Sequence, residues 1–393
     1  MKKVFLFSLF LVLGLVLSQC LPGWLGEAFL TAEKVAKTLM FVCLAFIMIN
    51  VGREFELDKT KWRSYAADYF IAMATAAVPW IMVAFYYMFL LPADLFGNWD
   101  AWKENLLLSR FAAPTSAGIL FTMLAAAGLR REWIYKKTQV LAIFDDLDTI
   151  LLMIPLQIFM IGFKWQLFAV VIVITFLLVI GWKKLGTIRL SQTWKSILFY
   201  AVCIVAVTES IYLLTKWMMG ADGAIHIEVL LPAFVLGMVM KTVHQHGNRD
   251  EKITGMISYL FMFLVGLSTP QFIGIDHGHR ITEAVGIIAA QPMPSWEVLV
   301  VHVIVVTLLS NLGKMFPLFF YRDRQLEERL ALSVGMFTRG EVGAGIIVIA
   351  MGYNLGGPAL IISVLSLVLN LLLTGGFVVI VKRLAQQAYG LKE

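Results

Sequence analysis

The sequence predicts an all-α integral membrane protein of about twelve transmembrane helices. Of its 393 residues 60% are hydrophobic and 15% are charged, against about 25% charged in ordinary soluble domains. The apolar residues gather into runs approaching the ~20 residues that a bilayer span needs. The basic residues concentrate in alternate connections between those runs, as they do in a chain that crosses the bilayer repeatedly. Twelve spans consume most of the chain. One transmembrane domain over residues 1–393 is therefore expected, with no soluble regulatory domain. This composition excludes a globular enzyme, a nucleic-acid binder and a receptor with a large ectodomain. The pI of 9.1 reflects short basic loops rather than affinity for nucleic acid.

The spans fall near 4–21, 34–52, 64–91, 104–128, 134–161, 165–182, 194–217, 225–243, 254–273, 296–320, 328–352 and 358–381. Span 1 follows Lys2 and Lys3 and imitates a secretory signal, and Leu17-Ser18-Gln19-Cys20 imitates a lipoprotein cleavage site. Gln before the cysteine fits cleavage poorly, and many spans follow, so the run reads as the first membrane helix. Cys20, Cys43 and Cys203 sit in apolar stretches without metal-type spacing and read as small buried side chains. Of the 32 Lys and Arg, 23 fall on one side of the alternating topology and six on the other. The excess places both termini in the cytoplasm. Trp62, Trp80, Trp133, Trp165 and Trp182 lie mostly near span ends, as interfacial anchors do.

The three remaining basic residues, Arg110, Lys314 and Arg339, lie inside or at the edge of spans. Acids join them. Span 5 carries Asp145, Asp146 and Asp148 near its midpoint, with Thr149 beside them. Charge at mid-bilayer costs about 2.5–3.5 kcal/mol per residue and usually faces a cavity where it does something. Helical geometry puts Asp145, Asp148 and Thr149 on one side and turns Asp146 elsewhere. That suggests a division of labour, in which one carboxyl lines an aqueous cavity and another meets a buried cation. Span 11 reads Gly335-Met-Phe-Thr338-Arg339-Gly340-Glu341-Val342-Gly343-Ala-Gly345. Four glycines weaken that helix by about 1 kcal/mol each relative to Ala, and Arg339 and Glu341 sit near its middle. Span 4 has its own weak point at Pro114-Thr115-Ser116, where proline removes a backbone donor. Interrupted helices at membrane depth are tolerated where they line a cavity, and transporters build ion sites where two of them meet. Spans 3–5 (about 64–161) and 10–12 (about 296–381) are candidate inverted repeats that form the core.

These residues resemble the bacterial sodium/proton antiporters of the cation:proton antiporter superfamily, in the branch with a paired aspartate. The resemblance rests on Asp145-Asp146, on Thr338-Arg339-Gly340-Glu341-Val342-Gly343 and on Pro114-Thr115-Ser116. Weaker matches run over Phe46-Ile-Met-Ile-Asn-Val-Gly52-Arg-Glu-Phe-Glu-Leu, Leu231-Pro-Ala-Phe-Val-Leu-Gly237 and Phe263-Leu-Val-Gly266-Leu-Ser. It implies the sodium/proton antiporter fold: two crossed, discontinuous helices, here spans 4 and 11, in a core that moves like an elevator beside a dimerisation bundle. It implies a homodimer in the bacterial cytoplasmic membrane. It also implies that Asp146 carries the ion or protons, that Asp145 pairs with a lysine on span 10, and that Thr115 or Ser116 supplies a hydroxyl ligand. Span 10 departs from the pattern. The family's lysine position falls near Ser310 or Asn311, and Lys314 lies a turn further on. Its stem either reaches Asp145 or snorkels to the interface; the sequence leaves both open.

The implied activity is exchange of Na⁺ (or Li⁺) for H⁺ by alternating access. Na⁺ would sit at Asp146 and Asp145, Arg339 would offset the acids against Glu341 or the aspartates, and Asp148, Thr338, Lys314 and Asn311 would support the site. Hard cations want oxygen ligands, which these residues supply. The expected partners are monovalent cations, protons and the lipid bilayer, without a cofactor and without nucleic acid. K⁺/H⁺ exchange or K⁺ efflux is the nearest rival. A cation channel, a non-transporting membrane sensor and a membrane enzyme are more distant ones. Blander readings cover the other polar residues. Glu209 bonds locally, His226 and Glu228 are interfacial, and His302 is a satisfied packing residue. His244 and His246 are solvated, or sense pH. His277 and His279 are a weak metal candidate.

Overall fold

The computed structural model describes all residues except 1, 55–61, 127, 131, 162–165, 185, 220–228, 241–247, 269–285, 354 and 391–393. The described residues form fourteen α-helices: α1 (Lys2–Leu25), α2 (Phe29–Glu54), α3 (Trp62–Phe89), α4 (Trp99–Ser109), α5 (Ala117–Ala126), α6 (Trp133–Ile161), α7 (Gln166–Lys183), α8 (Trp194–Met219), α9 (Leu230–Val239), α10 (Asn248–Leu267), α11 (Trp296–Gly313), α12 (Leu326–Gly335), α13 (Glu341–Gly352) and α14 (Gly357–Tyr389). Among the described residues ten of the twelve sequence spans each hold one α-helix. Span 4 is divided into α4 and α5, and span 11 into α12 and α13, at the proline and glycine positions that weaken them. Among the described residues, five helical stretches are long and apolar enough to cross a bilayer: Thr31–Arg53, Ser64–Phe89, Trp194–Met218, Trp296–Phe319 and Gly357–Tyr389.

The chain divides into two compact units. One comprises Leu9–Lys59 and Gln157–Ser268. Within it, α2 is central and packs against α8, α9 and α10. Apolar helices in lipid gain little from hiding apolar surface from one another, so close packing of small residues must hold them together. Gly52 of α2 and Gly237 of α9 provide such a crossing. A Cβ on Gly237 would lie 2.9 Å from the Gly52 Cα and 3.0 Å from the Arg53 nitrogen. Gly14 of α1 and Gly266 of α10 also meet backbone to backbone. The sequence singles out Gly52, Gly237 and Gly266 as motif positions, and the structure shows what each allows. Because the obstruction at Gly237 is backbone, Gly237→Leu is expected to destabilise the protein by about 1–3 kcal/mol through overpacking. Thermal unfolding in detergent reads this, and an unchanged midpoint would refute the crossing.

The other unit comprises Met1–Ser8, Thr60–Leu156 and Thr269–Glu393. In it a long helix, a divided span and a long helix occur in that order twice: α3, α4/α5, α6, and then α11, α12/α13, α14. Helix α11 packs on α3 and α14, and α12 on α14. The polarity of α11 runs opposite to that of a soluble helix. Val301, Ile304, Leu308 and Leu312 are exposed, whereas Thr307, Ser310, Asn311 and Lys314 just beyond its end are buried. The buried face meets matching groups on α14. Thr307 Oγ1 and Ser366 Oγ are 2.8 Å apart, and Asn311 Nδ2 donates to Asn370 Oδ1 at 2.9 Å. Polar groups paired inside and apolar groups outside is the arrangement that lipid demands.

Candidate functional site

Both divided spans break at the level of the buried acids, and the breaks touch. Helix α4 starts at an Asn98 cap whose Oδ1 accepts from the Asp100 amide at 2.8 Å. It tightens into a 3-10 turn at Arg110–Ala112, and α5 begins only at Ala117. Pro114 in the gap has no N–H to give. Helix α12 opens with a Gln325/Glu328 capping box, stops at Gly335 and gives way to α13 at Glu341. The Ser116 amide donates to the Thr338 carbonyl at 2.9 Å. Thr115 Oγ1 donates to the Met336 carbonyl at 3.1 Å. A Cβ on Gly340 would lie 2.6 Å from Ser116 Oγ and 2.8 Å from Ser116 Cβ, so a side chain there would force Ser116 to shift.

Asp145 of α6 sits against this crossing and is fully buried. Its Oδ2 accepts the Thr115 amide at 2.7 Å and the Lys314 ammonium at 2.8 Å. Lys314 also donates to Thr115 Oγ1 at 3.0 Å. Of the two courses open to Lys314, the structure shows the inward one: the side chain is fully buried. Thr149 Oγ1 donates back to the Asp145 carbonyl at 2.8 Å. Asp146 is 1% exposed and within electrostatic range of Lys314.

Arg339 lies within electrostatic range of Asp145, and its hydrogen bonds go to the backbone. Its guanidinium turns to carbonyl oxygens: Pro114 at 3.2 Å, Met336 at 3.4 Å and Ser310 at 3.2 Å. The physical reason is the break itself. Helix α12 ends in carbonyls with no intrahelical partner, at the negative end of its dipole, and a buried cation is the strongest donor that can reach them. Arg339 thereby pins three segments at once. Thr338 contributes its carbonyl to Ser116, while its hydroxyl stays local, 3.3 Å from the Gly335 carbonyl. Glu341 opens α13, and its side chain lies outside the described ones, as do His226, Glu228, His244, His246, His277 and His279.

Asp148 stands apart from the other two acids. Its Oδ2 lies 3.7 Å from Arg110 Nη2. Sequence reasoning places Arg110 off the loops without giving it a partner. The third acid on α6, Asp148, is the signal that could have found one. Asn370 and Ser366 of α14, which hold Asn311 and Thr307, carried no such signal. His302 fits its bland reading, with Nδ1 2.8 Å from the Tyr86 hydroxyl.

A crossing of two broken helices against buried carboxylates is a place to bind a small cation. The family model for the transmembrane sodium/hydrogen exchangers matches residues 2–385. The chain belongs to the sodium/hydrogen exchanger family. Its fold is similar to the structure of the sodium proton antiporter MjNhaP1 from Methanocaldococcus jannaschii at pH 8. The TM-score is 0.56 at 12% sequence identity, covering 98% of this chain and 92% of that one. Among curated proteins none matches it. The exchanger is an integral membrane protein with the antiporter fold, and its class of activity is cation/proton antiport.

Proposed function

We propose that this exchanger moves Na⁺ or Li⁺ against H⁺ by alternating access, with both ions competing for the helix-α6 aspartates. The observation that carries this reading is the contact between the breaks, Ser116 N–H to Thr338 O, directly against Asp145. It sets buried carboxylates beside backbone ends and the Thr115 and Ser116 hydroxyls, an oxygen-rich surrounding suited to a hard cation. Among the described residues Asp145 Oδ1 and Asn311 Oδ1 are buried acceptors with no donor, as expected where a hydrated cation or water comes and goes.

In this reading Asp146 is the principal carrier. Charged and empty, it resists transfer across a dry barrier; neutralised by either Na⁺ or H⁺, it can cross. Competition for one charge is then enough to couple the two flows. Lys314, Arg339 and Arg110 offset the remaining acids. Each net charge moved per cycle would add about 2.3 kcal/mol of drive per 100 mV. In this reading the exchanger works as a homodimer in a bacterial cytoplasmic membrane, with its termini on the cytoplasmic side. Reconstituted into proteoliposomes, it is expected to take up Na⁺ and Li⁺ in exchange for protons, with K⁺ a poor substrate. Flux measured for each cation across pH, with and without an imposed potential, checks this. Equal exchange with K⁺ would shift the reading to K⁺/H⁺ antiport, and single-channel currents would replace it with a channel.

A further inference from the structure

Arg110 is the largest fully buried side chain at the break in span 4, and the exchange reading asks of it only that its charge offset the acids. Its guanidinium lies 4.4 Å from the centre of the Trp80 ring of α3. Nη2 donates to the backbone carbonyl of Asp148 at 3.1 Å and stands 3.7 Å from that residue's carboxylate. Trp80 completes the tie, because its indole Nε1 donates to the Leu106 carbonyl at 2.7 Å, in the last turn of α4. Three elements therefore meet at one side chain: α3 through the ring, the end of α4 through Arg110 itself, and α6 through both backbone and side chain of Asp148.

We infer that Arg110 is a positioning residue that fixes the α4 break against α6 and so sets which cation fits. The inference rests on the exchange reading above. Thr115 lies five residues after Arg110, and Asp146 lies two residues before Asp148. The Arg110 tie thus joins the segment bearing the hydroxyl and backbone oxygens to the segment bearing the carboxylate. Discrimination among cations of one charge depends on the size and rigidity of the oxygen cage. A planar guanidinium stacked on an indole, with one N–H on a helix carbonyl, is rigid; an ammonium on a flexible stem is not. Outer-shell partners of metal ligands typically govern affinity by 10–100-fold.

Arg110→Lys keeps the charge opposite Asp148 and loses the fork. In proteoliposomes it is expected to raise the KM for Na⁺ about tenfold, to narrow the preference among Na⁺, Li⁺ and K⁺, and to leave kcat within about twofold. Trp80→Phe keeps a ring face and loses the indole N–H; it is expected to shift KM and preference the same way by a smaller factor. A merely structural role would lower the unfolding midpoint and the active fraction while leaving KM and the preference order unchanged. Folded Arg110→Lys protein with the parent's KM and cation preference overturns the inference. If Arg110→Lys does not fold, parental KM and preference in Trp80→Phe overturn it. Asp146→Asn measured alongside separates the two levels. Undiminished exchange in that variant defeats the underlying reading, whereas its loss together with parental preference in the Arg110 variant defeats this inference alone.

Discussion

Asp146→Asn is expected to fold normally and to show no Na⁺-driven proton flux in proteoliposomes at any pH. The substitution changes few atoms and removes a charge from a site that is 1% exposed, so the fold has little to lose; desolvating a carboxylate costs far more than desolvating an amide. Transport has everything to lose. An amide neither accepts a proton near neutral pH nor neutralises a monovalent cation, so the empty site is uncharged and no longer distinguishes loaded from unloaded. Asp145 differs because its Oδ2 is already held by the Thr115 amide and Lys314. Undiminished exchange from folded Asp146→Asn protein would remove the carrier from the mechanism.

The two breaks explain why so many charges survive in this interior. Interrupting a helix creates unpaired amides and carbonyls, which in lipid cannot be left unsatisfied. Here they are satisfied by one another and by Arg339, whose guanidinium serves carbonyls from the α4 break, the end of α12 and α11. Arg339 thus offsets negative backbone ends as well as nearby carboxylates. Its charge and the acids of α6 fall within one small volume because the helix ends are there.

Much of this was legible in the sequence because lipid is an exacting solvent. Spans announce themselves as apolar runs, and any Asp, Arg or Lys inside one stands out. Pro114 and the glycines from Gly335 onward marked where spans 4 and 11 divide. What the residues alone could not show is which charges meet. Arg110 and Asp148 are 38 positions apart, and Lys314 and Asp145 are 169 apart; each contact depends on crossings that periodicity does not encode. Lys314 had two physically reasonable courses, and only the position of Thr115, which receives the same ammonium, separates them. The turn of Arg339 toward carbonyls was hidden for another reason. Backbone acceptors appear at every position of a sequence and become special only when a helix stops.

Lys314→Met tests the other half of the site. Lys314 and Asp145 are both fully buried and 2.8 Å apart. Removing the ammonium leaves Asp145 with the Thr115 amide on Oδ2 and, among the described residues, no donor on Oδ1. Breaking a buried pair from one side typically costs 3–5 kcal/mol, because an uncompensated charge remains. A loss of about 4 kcal/mol is therefore expected in the unfolding of Lys314→Met, although methionine fills nearly the same volume. Removing both charges in Lys314→Met/Asp145→Asn is expected to recover most of that loss. The double variant needs no buried counter-ion, and the Asn carbonyl can still accept the Thr115 amide. The recovery is the informative quantity, since residues in direct contact give non-additive effects and independent ones do not. Additive losses in the double variant would mean that Lys314 stabilises this region through its contact with Thr115 Oγ1 and its packing, and that Asp145 finds its compensation elsewhere.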